Sequence, residues 1–233
     1  MDRSAGLHGP PADEHTFVYG IYSIPVLVFQ ASLLDVAEEV GLRPLGATVE
    51  RTVLGRGAWV DLRREWVAGA GTLFEELADR VPWQSERRRM YDRVVDVPRL
   101  VSFYGDTDRL PTPLFGQAMR ALDEHYRPAP QDVFATAGLC LYRHGGDSVA
   151  WHGDTIGRGS TEDTMVAIVS LGARRGLAIR PRAGGTSRRF EVGAGDLLVM
   201  GGSCQRTFEH AVPKTKRPVG PRISVQFRAA GVR

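Results

Sequence analysis

Cysteine is nearly absent from this chain of 233 residues: Cys140 and Cys204 are its only two, and no CxxC occurs. A disulfide framework is thereby excluded, and a chain of this length can bury a core without one. Long apolar runs are missing too. The longest early one, Ile24 to Phe29, is interrupted by Pro25 and is far too short to span a bilayer. With no secretory signal in view, the expected location is the cytoplasm, without membrane contact. One-sided charge is also lacking. A net charge of +3 permits nucleic-acid binding but does not argue for it. No repeat of about 20–50 residues is visible, which excludes a solenoid or propeller.

What is present falls into two textures. Residues 1–20 are rich in Gly, Pro and polar residues and read as a loose tail. Ser32 reads as an N-cap, with Leu33, Val36, Ala37 and Val40 as an apolar stripe and Gly41 as the stop. Thr72 to Val81 and Leu114 to Tyr126 carry apolar residues at helical spacing, the latter introduced by Pro111 and Pro113. After Ala137, β-prone segments alternate with Gly-rich turns: Leu139–Tyr142, Met165–Leu171, Leu177–Arg180, Arg189–Val192, Asp196–Met200 and Arg222–Arg228. Helices first, then antiparallel strands closing into a barrel or two-sheet roll, make an α+β, mainly β fold. Arginines gather at Arg87, Arg88, Arg89 and Arg93, and again from Arg174 to Arg189. Either group could meet phosphates or simply face water.

The densest chemistry lies at Trp151-His152-Gly153-Asp154, with His210 downstream. Two imidazoles and a carboxylate make the facial triad of non-heme Fe(II) oxygenases, in which three coordination positions stay open. Zinc also accepts His and Asp, and His-x-Asp alone is a weak signal. The segment Arg222-Ile223-Ser224-Val225-Gln226-Phe227-Arg228 alternates, so Arg222, Ser224, Gln226 and Arg228 share one face. At ~3.3 Å per residue the arginine Cα atoms stand about 20 Å apart. With each side chain reaching back about 6–7 Å, the gap matches a five-carbon dicarboxylate held by guanidinium–carboxylate pairs. The competing reading is an edge strand whose arginines stand in water.

The order Tyr142, His152-Gly153-Asp154, Gly195 through Gly202, His210, then Arg222 through Arg228 resembles the AlkB family of 2-oxoglutarate dioxygenases. Pro98-Arg99 and Tyr104-Gly105-Asp106 resemble the PR…YGD stretch of its DNA-repair branch. The resemblance covers roughly residues 85 to 229 and implies a double-stranded β-helix (jelly-roll) core with supporting N-terminal helices. The chain is expected to divide into a tail over 1–20, an N-terminal extension over 21–70 packed on the core, and a dioxygenase domain over 71–229. The resemblance implies Fe(II) on His152, Asp154 and His210, with 2-oxoglutarate and O₂ as co-substrates. Arg222 would pair with the distal carboxylate and Arg228 would lie near the metal end. Tyr142 and Ser224 would line the same pocket. The implied reaction decarboxylates 2-oxoglutarate to succinate and hydroxylates an N-alkyl carbon, after which the hemiaminal collapses to aldehyde and repaired base. Met90 and Tyr91 stand where a wedge would fill the gap left by an extruded base, though both could be core residues. Arg99, Tyr104 and Asp147 are further candidates for substrate contact; Asp147 could equally cap a turn.

The chain departs from the family where acids that read the damaged base are expected: Thr155 and Ile156 follow Asp154. Cys140 replaces an Asn expected two residues before Tyr142. The leading function is oxidative dealkylation of bases in DNA. The alternatives are an RNA- or tRNA-modifying dioxygenase and a catalytically silent adaptor. Gln30-Ala31-Ser32-Leu33-Leu34 resembles a sliding-clamp docking peptide and competes with the helix start at Ser32.

Overall fold

Alternation of apolar residues builds this molecule more than helical periodicity does. The computed structural model describes residues 38–90, 93–105 and 108–232. The tail over 1–20, the candidate docking peptide at 30–34 and Tyr91 lie outside the described residues. The strands are β1 (Gly41–Leu42), β2 (Glu50–Gly55), β3 (Ala58–Arg63), β4 (Val67–Ala68), β5 (Gln84–Met90), β6 (Arg93–Tyr104), β7 (Phe134–Tyr142), β8 (Val149–His152), β9 (Val166–Gly172), β10 (Arg175–Pro181), β11 (Arg188–Val192), β12 (Leu197–Gly201), β13 (Phe208–Val212) and β14 (Arg222–Ala229). The helices are α1 (Ala70–Arg80), α2 (Pro113–Tyr126) and the single turn α3 (Cys204–Thr207). None of the described helices is long and apolar enough to cross a membrane.

An 8-stranded sheet runs β2-β3-β12-β9-β14-β7-β6-β5, and a 4-stranded sheet runs β11-β10-β13-β8. Every pairing is antiparallel. In the middle of the large sheet the odd and even positions serve different cores. Leu197 and Val199 of β12, Val169 and Leu171 of β9, and Ile223, Val225 and Phe227 of β14 pack with Leu73 and Leu77 of α1 and with Leu114, Phe115 and Leu122 of α2. The alternate residues Leu198, Met200, Val166 and Ile168 pack with Leu177, Ile179, Val192, Phe208 and Val212 of the small sheet. The result is a two-sheet jelly roll with helices covering one face. On β14 the inward positions are polar, and they face Ser170 of β9, Tyr142 of β7 and, near Arg228, the ligand-type residues that follow β8.

The helices form for local reasons. Thr112 caps α2, its hydroxyl accepting from Leu114 N at 3.4 Å, and Pro113 presets the first turn. Gly69 enters α1 at φ 61, and a Cβ there would stand 2.5 Å from the Glu38 carbonyl. The helix expected from Ser32 is not continued in the described part: Glu38 to Val40 are irregular, and Gly41–Leu42 pair with Val67–Ala68. Glu38 is instead tied to Gly69 N and to Arg43. The β-rich part also starts long before Ala137. Residues Glu50 to Arg63 are integral to the large sheet through the pairing of β3 with β12. Residues 37–233 form one compact unit.

Candidate metal and co-substrate site

Strands β8 and β13 pair so that His152 lies directly opposite His210, with ring centroids 4.3 Å apart. Asp154 follows just past the end of β8, and one ligand atom from each of the three side chains lies within 4.8 Å of the others. His152 Nδ1 lies 2.8 Å from the Ala150 carbonyl, which fixes it as the donor and leaves Nε2 to ligate. Burial, reinforced by the His152 ring, lowers the His210 pKa to about 3, so its imidazole is neutral at physiological pH. Burial opposes ionisation of Asp154, but Arg228 and the two imidazoles outweigh it and hold the carboxyl at about 2. A neutral His210 imidazole and an ionised Asp154 carboxylate are forms a cation requires.

The central glycine of His-Gly-Asp has a steric reason. A Cβ at Gly153 would come 2.2 Å from Arg182 Nη2 and 2.9 Å from the Gln205 carbonyl. Gln205, only 1% exposed, accepts from Asp154 N at 3.0 Å and so fixes the ligand loop. Gly159 is equally constrained, since a Cβ there would stand 2.1 Å from the Asp154 carbonyl.

The floor of the cavity follows from strand register. On β14, Arg222, Ser224, Gln226 and Arg228 face inward opposite Tyr142, Cys140, Gly138 and Thr136 of β7. At the metal end, Arg228 Nε donates to Asp154 Oδ2 at 2.9 Å. A Cβ on Gly138 would lie 3.1 Å from Arg228 Nη1, so the glycine makes room for that guanidinium. At the far end Arg222 is 1% exposed. Its Nε donates to Ser170 Oγ at 2.8 Å, and its guanidinium carbon lies 5.3 Å from the Tyr142 ring centre. Arg222 Nη1 is buried without a hydrogen-bond partner. Burial lowers the Arg222 pKa and raises that of the Tyr142 hydroxyl, so Tyr142 stays a protonated donor. A buried guanidinium nitrogen lacking an acceptor, a phenol donor and a His₂-Asp set at the other end fit a chelating dicarboxylate on a metal.

Other candidates from the sequence are distributed differently. Tyr104 packs toward the helix-covered core, not into the cavity. Asp147 is 2% exposed and is spent on the turn, accepting from Arg143 N and Nε at 2.8 Å each. Arg99 Nη1 donates to Ser148 O at 3.4 Å, and its charge acts on Tyr142, so it is turned toward the co-substrate end. Met90 pairs with Arg93 at the tip of the hairpin of β5 and β6. Trp151 faces away from His152 and carries Arg180 at 4.1 Å, which in turn bonds Glu209 at 2.5 Å. Within the arginine-rich stretch, Arg175 is no surface residue: 4% exposed, it donates to the carbonyls of His144, Asp147 and Pro213. Sequence reasoning missed Gln205, Ser170 and the pocket-facing Phe103. Only the period-2 register of Phe103 on a strand, had β6 been recognised, could have found the last.

The comparisons agree with this geometry. The family described as the 2OG-Fe(II) oxygenase superfamily matches residues 107–228. The human alpha-ketoglutarate-dependent dioxygenase alkB homolog 3 is 30% identical over 210 residues, covering 82% of this chain and 69% of its own. The DNA oxidative demethylase ALKBH2 of Arabidopsis thaliana is 26% identical over 193 residues, covering 67% of this chain and 61% of its own. The solved structure of OsALKBH1 shares the fold, with a TM-score of 0.52 at 16% identity, over 76% of this chain and 100% of that one. This chain belongs to the AlkB family of the 2OG-Fe(II) oxygenase superfamily, and it is an Fe(II)- and 2-oxoglutarate-dependent dioxygenase.

Proposed function

We propose that this dioxygenase removes N-alkyl groups from bases in DNA. The observation that carries the reading is the polar face of β14, which has the His152, Asp154 and His210 cluster at its Arg228 end and the partnerless Arg222 Nη1 at the other. Its membership beside a relative named as a DNA oxidative demethylase supports the substrate class. In this reading His152, Asp154 and His210 hold Fe(II), which with 2-oxoglutarate and O₂ supplies the oxidising power that hydroxylates the N-alkyl carbon. Arg222 receives the distal carboxylate of 2-oxoglutarate, and the Tyr142 hydroxyl donates to it. Ser170, through Arg222 Nε, aims the guanidinium. Ser224 Oγ accepts from Gln226 Nε2 at 2.7 Å, which locks the cavity floor between the two arginines. Arg228 holds Asp154 ionised and oriented. Met90 and Tyr91 serve as the wedge that replaces an extruded base in the stack. Arg87, Arg88, Arg89 and Arg93 on the same hairpin supply phosphate contacts.

The test is turnover of a single-stranded oligodeoxynucleotide carrying 3-methylthymine or 3-methylcytosine with Fe(II) and 2-oxoglutarate. Formaldehyde is expected in step with succinate, and both vanish in His152→Ala and Asp154→Ala. Release of formaldehyde only from the matching RNA would move the substrate to RNA. Succinate without formaldehyde from either polymer would refute a nucleic-acid substrate.

A further inference from the structure

Strand β8 carries His152 and leads into Asp154, yet it is only 4 residues long and stands last in the 4-stranded sheet, with β13 as its neighbour there. The ladder between them is short and irregular: His152 pairs with His210 and Val149 with Val212, with a shift of register between the two. The His152 ring is anchored within its own strand, through Nδ1 and the Ala150 carbonyl 2.8 Å away, so this ligand moves with β8. How far apart the two imidazoles stand is therefore set by how β8 sits on β13.

The opposite face of the same sheet supplies a further tie. Side chains alternate across a strand, so Trp151 and Glu209, the chain neighbours of His152 and His210, stand on the face turned away from the ligands. Arg180 of β10 pairs in register with Glu209. Its Nε donates to Glu209 Oε1 at 2.5 Å, and its guanidinium carbon lies 4.1 Å from the centre of the Trp151 ring. One side chain from β10 thus reaches across β13 and lands on β8. A guanidinium suits this span, because its delocalised plane stacks on an indole while an edge N–H meets a carboxylate. Half-exposed ion pairs contribute little to global stability, and the Arg180 and Glu209 side chains are 38% and 18% exposed. What distinguishes this pair is its place, directly behind the facing histidines. We infer that Arg180 is a positioning residue of the metal site: with Trp151 and Glu209 it staples β8 across β13 and holds His152 at its distance from His210. The inference rests on the metal site proposed above and adds to it the residue that fixes its geometry from behind.

Titration of the metal-free full-length protein with Co(II), whose visible d–d bands report ligand geometry, tests the staple without turnover. Arg180→Met removes the charge and the hydrogen bond, and Trp151→Leu removes the ring. Each is expected to raise the Co(II) Kd about 10–100-fold and to shift the bands of the bound ion. Arg180→Lys, which keeps the charge without the plane, should recover part of the affinity. The double variant should bind about as weakly as the weaker single one, because both act through one contact. Arg189→Met is the control. It breaks a comparable pair, Arg189 Nε with Glu191 at 2.6 Å, on the same face but one strand beyond β10. It should match Arg180→Met in urea unfolding and leave the Co(II) Kd and bands unchanged. An Arg180→Met protein with the Kd and bands of the unaltered one overturns the inference. So does a loss of affinity that leaves the bands unmoved and merely follows a loss of stability in urea. Should Arg180→Met fail to fold, Trp151→Leu and Arg180→Lys decide by the same readings. If the unaltered protein and His210→Ala bind Co(II) alike, the metal site itself is wrong and the staple falls with it.

Discussion

Replacing Arg222 by Met separates the cost of a buried charge from its use. Arg222 is 1% exposed, and its Nη1 has no acceptor. In the ligand-free fold the guanidinium is a liability, and exchanging a buried charge for a hydrophobe of similar volume typically gains about 1–4 kcal/mol. Against that, Ser170 Oγ loses the donor 2.8 Å away, at a cost of about 1–3 kcal/mol. The two offset, so Arg222→Met should unfold within about 1 kcal/mol of the unaltered protein. Binding should respond very differently. Removing one partner of a buried charge pair costs about 2–5 kcal/mol, or roughly 30- to several-thousand-fold in 2-oxoglutarate affinity. Thermal unfolding with and without 2-oxoglutarate under anaerobic Fe(II) reads both quantities. At about 100 times its Kd the co-substrate should add about 2.7 kcal/mol to the unaltered protein, and at the same concentration nothing measurable to the variant. A variant destabilised by more than about 3 kcal/mol that still gains stability from 2-oxoglutarate would refute the role given to Arg222.

Further outcomes follow from neighbouring contacts. Gln205→Leu removes the acceptor of Asp154 N and should weaken metal affinity about 10–100-fold while the jelly roll persists, read by competition with a metal indicator. Gly159→Ala drives a Cβ against the Asp154 carbonyl and should cost about 1–3 kcal/mol in urea unfolding, along with metal affinity. Burial pushes the Cys204 thiol up to about 12, while Cys140 is half-buried in the cavity. Ellman's reagent at pH 8 should therefore titrate Cys140 alone in the folded protein, more slowly with Fe(II) and 2-oxoglutarate present, and both thiols after denaturation. In chelator, the folded His210 pKa of about 3 lies below its ordinary 6.5. The unfolded chain then binds a proton that the fold excludes, and stability should fall by up to about 1.4 kcal/mol per pH unit as pH drops below about 6.5. Asp154 adds its own loss as pH falls from about 4 through its folded value of about 2. Urea melts from pH 7 to pH 4 should show the His210 slope, and His210→Asn should flatten it.

The parts of this molecule legible in its sequence are those where one residue type answers one local demand. Helices α1 and α2 were readable because Leu73 and Leu77, and Leu114, Ala118 and Leu122, recur at helical spacing on one buried face. Strand β14 was readable because Arg222 through Arg228 alternate between a core and a polar cavity. The His-Gly-Asp triplet and His210 were visible as residues, yet their meeting depends on the cross-strand pairing of β8 with β13, which no local pattern encodes. Strands β2, β3, β5 and β6 were missed because their charged residues, such as Glu50, Arg51 and Arg87 to Arg89, hide the period of two. That omission concealed Phe103, whose inward position is fixed only by the pairing of β6 with β7. Gln205 was out of reach for another reason: its role depends on a backbone amide fifty-one residues away in the chain. Tyr104 and Asp147 resembled substrate contacts in sequence but are claimed by the core and by Arg143.

Anaerobic titration with Fe(II) and then 2-oxoglutarate tests the shared metal and co-substrate cavity most directly. One Fe(II) per chain should bind, and a metal-to-ligand charge-transfer band should appear in the visible only after 2-oxoglutarate is added. The band should be lost in His210→Ala and should demand far more 2-oxoglutarate in Arg222→Met. A band that survives removal of His210, or that is indifferent to Arg222, would contradict the convergence of these residues on one metal-chelate site.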